Sequence, residues 1–115
     1  MIKRREQFHV DQYERCCGGE GCTSVTDLLT GDELYSEPKV IAYARLEPGD
    51  SIGWHVHDGE MEAYIILSGE GVFNDNGAEN PVRPMDVTVT YSGEGHAIRP
   101  AGANALELLA VILRK

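Results

Sequence analysis

The stretch GDSIGWHVHDGEMEAYIILSG, residues Gly49–Gly69, decides how this chain is read. His55 and His57 stand two apart, and on an extended strand residues two apart point to the same face. Asp58-Gly59 supplies a turn, and Glu62 opens the run Glu62 to Leu67. A hairpin of this length is predicted to bring Glu62 back alongside both histidines. Tyr64 and Ile66 share the Glu62 face by the same alternation and are expected to line a pocket with it, whereas Trp54 faces away and is expected to pack. His96 follows the Gly-rich turn Ser92-Gly93-Glu94-Gly95 and has to arrive from a strand distant in sequence.

Outward from this stretch the chain is punctuated by turn residues at short intervals: Glu47-Pro48-Gly49-Asp50, Ser68-Gly69-Glu70-Gly71, Asn74-Asp75-Asn76-Gly77, Arg83-Pro84-Met85-Asp86 and Pro100-Ala101-Gly102. Between them lie short apolar or alternating runs, including Val40 to Leu46, Val87 to Tyr91 and Leu106 to Leu113. Short strands at near-regular spacing with turn chemistry between them predict an all-β sandwich or barrel. Asn76-Gly77 suits a tight hairpin, because both residues tolerate positive φ. Val25 to Leu34 reads either as a helical turn, capped by Thr26 or Asp27 and ended by Gly31, or as a strand. Ala105 to Leu113 reads as a final buried strand in preference to a helix.

Imidazole nitrogens with one carboxylate and no thiolate suit one divalent transition metal, Mn, Fe, Co, Ni, Cu or Zn, better than Ca or Mg. Four such groups, His55, His57, Glu62 and His96, leave two positions of an octahedral sphere open for water, dioxygen or a chelating molecule. Glu60 is expected to be solvated in the turn, and Arg99 to form an outward ion pair. His9 has no assignable role. Cys16, Cys17 and Cys22 crowd one Gly-rich segment. Their odd number argues against a disulfide framework. Reduced thiols in a flexible loop is the plain reading, with a second soft-metal or redox site, or a reactive thiol beside a pocket, as alternatives.

The spacing Gly49-x5-His55-x-His57-x4-Glu62-x6-Gly69 resembles the first signature motif of the cupin superfamily at every fixed position. The segment Met85 to Pro100 resembles the second motif. It keeps Gly93 and His96 in register and departs at Met85 for Gly, Tyr91 for Pro and Pro100 for Asn. The resemblance implies a small single-domain cupin, a jelly-roll β-barrel (double-stranded β-helix) holding a metal on His55, His57, Glu62 and His96. It also implies a homodimer, with residues 1–40 as an N-terminal arm and first strands, exchangeable between subunits, ahead of a 41–115 body.

At 115 residues the chain has room for one core. A net charge of -9 disfavours nucleic acid and anionic lipid. No apolar run of spanning length or signal-peptide pattern is present, so a cytoplasmic protein is expected. The fold hosts many functions. Two stay open: a metal-dependent oxidoreductase or isomerase, dioxygenase-like, acting on a small polar metabolite with Glu62 as proton acceptor, or a module that binds or senses a small molecule or sugar at the same metal without chemistry.

Overall fold

A computed structural model describes every residue except Ser36, Pro38 and Lys115. The described residues form ten strands: β1 (His9–Glu14), β2 (Cys22–Leu29), β3 (Lys39–Leu46), β4 (Ile52–Val56), β5 (Glu60–Ser68), β6 (Gly71–Asp75), β7 (Ala78–Val82), β8 (Val87–Thr90), β9 (Gly95–Pro100) and β10 (Leu106–Arg114). They form a six-stranded sheet in the order β1-β2-β3-β10-β5-β8 and a four-stranded sheet in the order β4-β9-β6-β7. Every pairing is antiparallel.

The all-β expectation holds, but the jelly-roll β-barrel does not. The larger sheet ends at β1 and β8 and the smaller at β4 and β7, and among the described residues no hydrogen-bonded ladder joins the two. The sheets meet face to face through side chains. The sequence pattern could not distinguish these outcomes, since alternation specifies which face of a strand is buried and not which edges pair.

The core lies between the sheets. Leu46, Ile66, Leu106 and Leu108 enter it from the six-stranded sheet, and Ile52, Phe73, Val82 and Ile98 from the other. Each large aliphatic side chain buried this way contributes about 1.5–3 kcal/mol. On β5 the inward set is Glu62, Tyr64 and Ile66, which is the period-two pattern read from the sequence. One apolar stripe therefore carries a carboxylate into the interior at its outer end.

Several ambiguities resolve locally. Val25 to Leu34 splits into the end of β2 and a short 3-10 turn, Gly31–Leu34. That turn is capped by Thr30 and Glu33, not by Thr26 or Asp27. Ala105 to Leu113 is the strand β10, hydrogen-bonded on both sides. Asn76 and Gly77 turn the β6–β7 hairpin at φ 55° and 106°. β1 and β2 lie on the chain's own six-stranded sheet, beside β3. Among the described residues no helix is long and apolar enough to cross a membrane.

The departures from the second motif also have physical accounts. Tyr91, unlike proline, carries a backbone N–H, and it donates to Glu94 Oε1 at 2.9 Å. Met85 keeps a left-handed backbone, φ 75°, with its side chain exposed. A side chain there costs about 1–2 kcal/mol, of which glycine's greater loss of chain entropy offsets part. Met85→Gly is expected to stabilise the fold by about 0.5–1 kcal/mol. Urea unfolding checks this, and a lowered midpoint at unchanged slope would contradict the account.

Candidate functional site

His55 lies on β4 and pairs directly across the ladder with His96 on β9. The cross-strand partnership places both imidazoles on the inner face of the four-stranded sheet. His57 follows the end of β4, and Glu62 comes from β5, a strand of the opposite sheet. The hairpin expected between the histidines and Glu62 is therefore not formed. β4 pairs with β9, whereas β5 pairs with β10 and β8. The Asp58-Gly59 turn carries the chain from one sheet to the other, and Glu62 meets the histidines from across the interior.

The four side chains converge. His96 Nε2 lies 3.0 Å from His55 Nε2, 3.0 Å from His57 Nε2 and 3.0 Å from Glu62 Oε1. Glu62 Oε1 is 3.1 Å from His57 Nε2 and 3.8 Å from His55 Nε2. All four ligand atoms fall within 4.8 Å of one another. Metal–nitrogen bonds of about 2.1 Å place neighbouring octahedral donors about 3.0 Å apart. The spacing fits a single ion, and three nitrogens with one carboxylate oxygen fit a divalent transition metal. This is a clustered His/Glu set able to chelate one.

The far side of each ring fixes its orientation. His55 Nδ1 donates to the Gly53 carbonyl at 2.8 Å, and His57 Nδ1 donates to Glu60 Oε1 at 2.8 Å. His96 Nδ1 is held by Thr90 Oγ1 at 2.9 Å. In the neutral imidazoles of His55 and His57 the proton is thus on Nδ1, leaving a lone pair on Nε2 aimed inward. Outer partners of this kind hold a histidine in a metal-ready tautomer. Tyr64 stacks on the His96 ring, with centroids 5.0 Å apart and planes at 8°, and Phe73 meets the same ring edge-on.

The electrostatics agree. Burial pushes the Glu62 carboxyl up, yet hydrogen bonds from His55 and His96 and the charges of His96 and His57 overcome it and hold its pKa at about 2. The His55 imidazole is raised to about 10, first by its hydrogen bond with Cys17 and then by Glu62. A buried, ionised carboxylate demands a positive neighbour, which a proton or a metal cation can supply.

Above the cluster opens a cavity of about 280 Å³, with walls formed largely by Val25, Val40, Ala42, Ala44, Ile52, Leu108, Ala110 and Ile112. His55, His57 and Glu62 stand at one side, with Tyr64. Ile66, expected beside Tyr64, is fully buried in the core below it. Cys16 and Cys17 also line the cavity. The pair shares charge: the Cys17 thiol falls to about 4 through hydrogen bonds from Cys16 and His55, while Cys16 is pushed up.

Sequence reasoning missed Glu60 and Thr90 as partners of the rings. Glu60 is not a solvated bystander, since it bridges His57 Nδ1 and Arg114. A carboxylate three residues from a histidine was the available signal, whereas Thr90 gave none. Trp54 packs on Gly95, where any β-carbon would sit 2.3 Å from its ring, so Gly95 lets the indole cover the backbone beside His96. Arg99 pairs outward with Glu79, as expected, and exposed His9 pairs with Asp11.

Residues 42–112 match the cupin domain family. The chain belongs to the cupin family. This cupin is 40% identical to an oxalate-binding protein of Thermotoga maritima over 113 residues, 98% of this chain and 93% of that one. A crystal structure described as a "predicted oxalate decarboxylase" from Thermotoga maritima superposes with a TM-score of 0.93 at 39% identity, both chains covered in full. A sugar phosphate isomerase of the cupin superfamily from Silicibacter pomeroyi superposes at 0.70 with 26% identity, over 81% of this chain and 60% of that one.

Glu60→Ala removes the acceptor from His57 Nδ1 while leaving the Nε2 donor in place. It is expected to weaken Mn(II) or Zn(II) binding about 10-fold with the fold intact. Competition against a chromophoric chelator measures this. Unchanged affinity would show that Glu60 does not orient the ring.

Proposed function

We propose that this cupin binds one divalent transition metal through His55, His57, Glu62 and His96 and uses it to hold a small chelating dicarboxylate of the oxalate type. The observation that carries the reading is the convergence of three Nε2 atoms and one carboxylate oxygen at the side of an apolar cavity. When bound on these four residues, the metal would supply a Lewis-acidic cation to carboxylate oxygens.

The protein's own residues define the rest. Among the described residues no lysine or arginine lines the cavity. An anion entering a chain of net charge -9 meets no lysine or arginine there. Its charge has to be neutralised at the four-residue cluster, which makes anion binding metal-dependent. The aliphatic walls exclude water and strengthen that attraction. Tyr64 keeps the His96 ring from turning, and the outer hydrogen bonds keep the Nε2 atoms directed inward. The cavity suits a molecule of few atoms. Relatedness to proteins described as oxalate-binding and as a "predicted oxalate decarboxylase" supports the ligand class.

Holding the ligand is favoured over transforming it. Beyond the four residues, the described cavity lining adds the Cys16 and Cys17 thiols and the Tyr64 phenol but no further carboxylate, imidazole or amine to deliver or accept a proton during turnover. Glu62, placed with the three histidines and held ionised, is accounted for as a donor to the metal rather than as a free base.

Metal-loaded protein is expected to gain about 2.7 kcal/mol of stability at an oxalate concentration 100 times the dissociation constant. Metal-free protein and His57→Ala are expected to gain nothing. Thermal unfolding with and without oxalate reads this directly. Equal stabilisation of the metal-free protein would overturn the shared-site reading, and consumption of oxalate by the loaded protein would replace binding with catalysis.

A further inference from the structure

We infer that the same site takes a second class of ligand, a 2-oxo carboxylate with a short aliphatic tail. Its head lies at the four-residue cluster and its tail along the wall formed by β3 and β10. The inference rests on the chelating site proposed above and deepens it, because a 2-oxo carboxylate offers two oxygens across the same O–C–C–O path as oxalate.

The lining is divided. Its polar side chains come from the His55–His57 segment, from β5 and from the Cys16–Gly18 turn, whereas β2, β3 and β10 contribute aliphatic side chains alone. The ladder sets the direction of this division. Ile112 pairs with Glu62 on one side and with Val40 on the other, and one row along Ala110 pairs with Tyr64 and with Ala42. Neighbouring strands lie about 4.8 Å apart, so the aliphatic wall runs about 10 Å away from the strand that carries the carboxylate. Ala42 and Ala110 stand side by side where a leucine would fill the space, and Ala44 continues the gap towards Val25.

Oxalate leaves part of this space unused. At about 30 Å³ per heavy atom, the share of a water molecule in the liquid, its six atoms fill about 180 Å³. The cavity measures about 280 Å³. The difference accommodates about three further atoms. Those atoms meet methyl and methylene groups, and an aliphatic tail gains by leaving water for such a surface. A second carboxylate at the end of the tail is disfavoured by the same wall. No lysine or arginine stands in the described lining, so that charge would lose its water with nothing to pair it. The wall therefore selects one anionic head and an apolar tail about three carbons longer than that of pyruvate, which itself matches oxalate in heavy atoms.

Isothermal titration calorimetry on the Zn(II)-loaded full chain tests this with pyruvate, 2-oxobutanoate, 2-oxopentanoate and 2-oxohexanoate, which share one head and differ only in the tail. The dissociation constant is expected to fall about fourfold with each added carbon, about 60-fold over the series. The dianion 2-oxopentanedioate, the same chain ending in a second carboxylate, is expected to bind more weakly than 2-oxopentanoate. Ala110→Leu and, separately, Ala42→Leu fill the space. In each variant that still takes up Zn(II), the ratio between pyruvate and 2-oxohexanoate is expected to shrink to about threefold or less. If neither variant folds, the series and the dianion comparison in the unaltered protein remain decisive. Constant or weakening affinity along the series, or tighter binding of 2-oxopentanedioate, would overturn the tail site, and metal-dependent oxalate binding beside it would leave the four-residue reading standing. A series gain that survives both substitutions would place the tail elsewhere and overturn it too. No uptake of Zn(II), or equal binding of the series by metal-free protein, would overturn the four-residue reading itself and the inference with it.

Discussion

Three imidazole nitrogens and a carboxylate oxygen are held facing one another in the interior, with His96 Nε2 only 3.0 Å from each of three partners. Hydrogen bonds on the far sides of His55 and His57 keep Nδ1 protonated, so with both rings neutral two lone pairs and a negative oxygen point into the same small space. Such an arrangement is repulsive unless a positive charge stands in the middle. The rest of the molecule can be understood as what is needed to keep these donors together: a ladder register that sets His55 opposite His96, a link that throws Glu62 onto the facing sheet, and Tyr64 and Phe73 packed against the His96 ring.

The division of labour between the sheets follows. The four-stranded sheet supplies two histidines from neighbouring strands, and the six-stranded sheet supplies the carboxylate and most of the aliphatic wall. Because the donors come from both layers, the site depends on sheet-to-sheet packing and not on one local motif. The two sheets remain open at their edges, so this packing rests on the interleaved aliphatic side chains and on whatever occupies the site. A bound cation adds its binding free energy to that of the core.

Much of this was legible in the sequence, and the parts that were not share a cause. Period-two alternation placed Glu62 and Tyr64 on one face of β5, and Asn76-Gly77 announced its hairpin, because both are local properties of a strand or a turn. Alternation says nothing about which strand lies alongside. The Asp58-Gly59 turn therefore read as a hairpin although it crosses between sheets, and closure into a barrel was inferred where the edges stay apart. Ile66 shared the face of Tyr64 yet lies in the core, since depth along a strand is set by the facing layer. Glu60 and Thr90 act on the rings of residues 3 and 6 positions away, respectively, and only the Glu60 spacing left a trace in the sequence.

The most direct test is a crystal structure of the protein loaded with Mn(II) or Co(II), with anomalous scattering used to locate the ion. The account predicts one strong peak per chain about 2.0–2.2 Å from His55 Nε2, His57 Nε2, Glu62 Oε1 and His96 Nε2. A peak bound by other residues, or an empty cluster in protein shown to retain the metal, would contradict it.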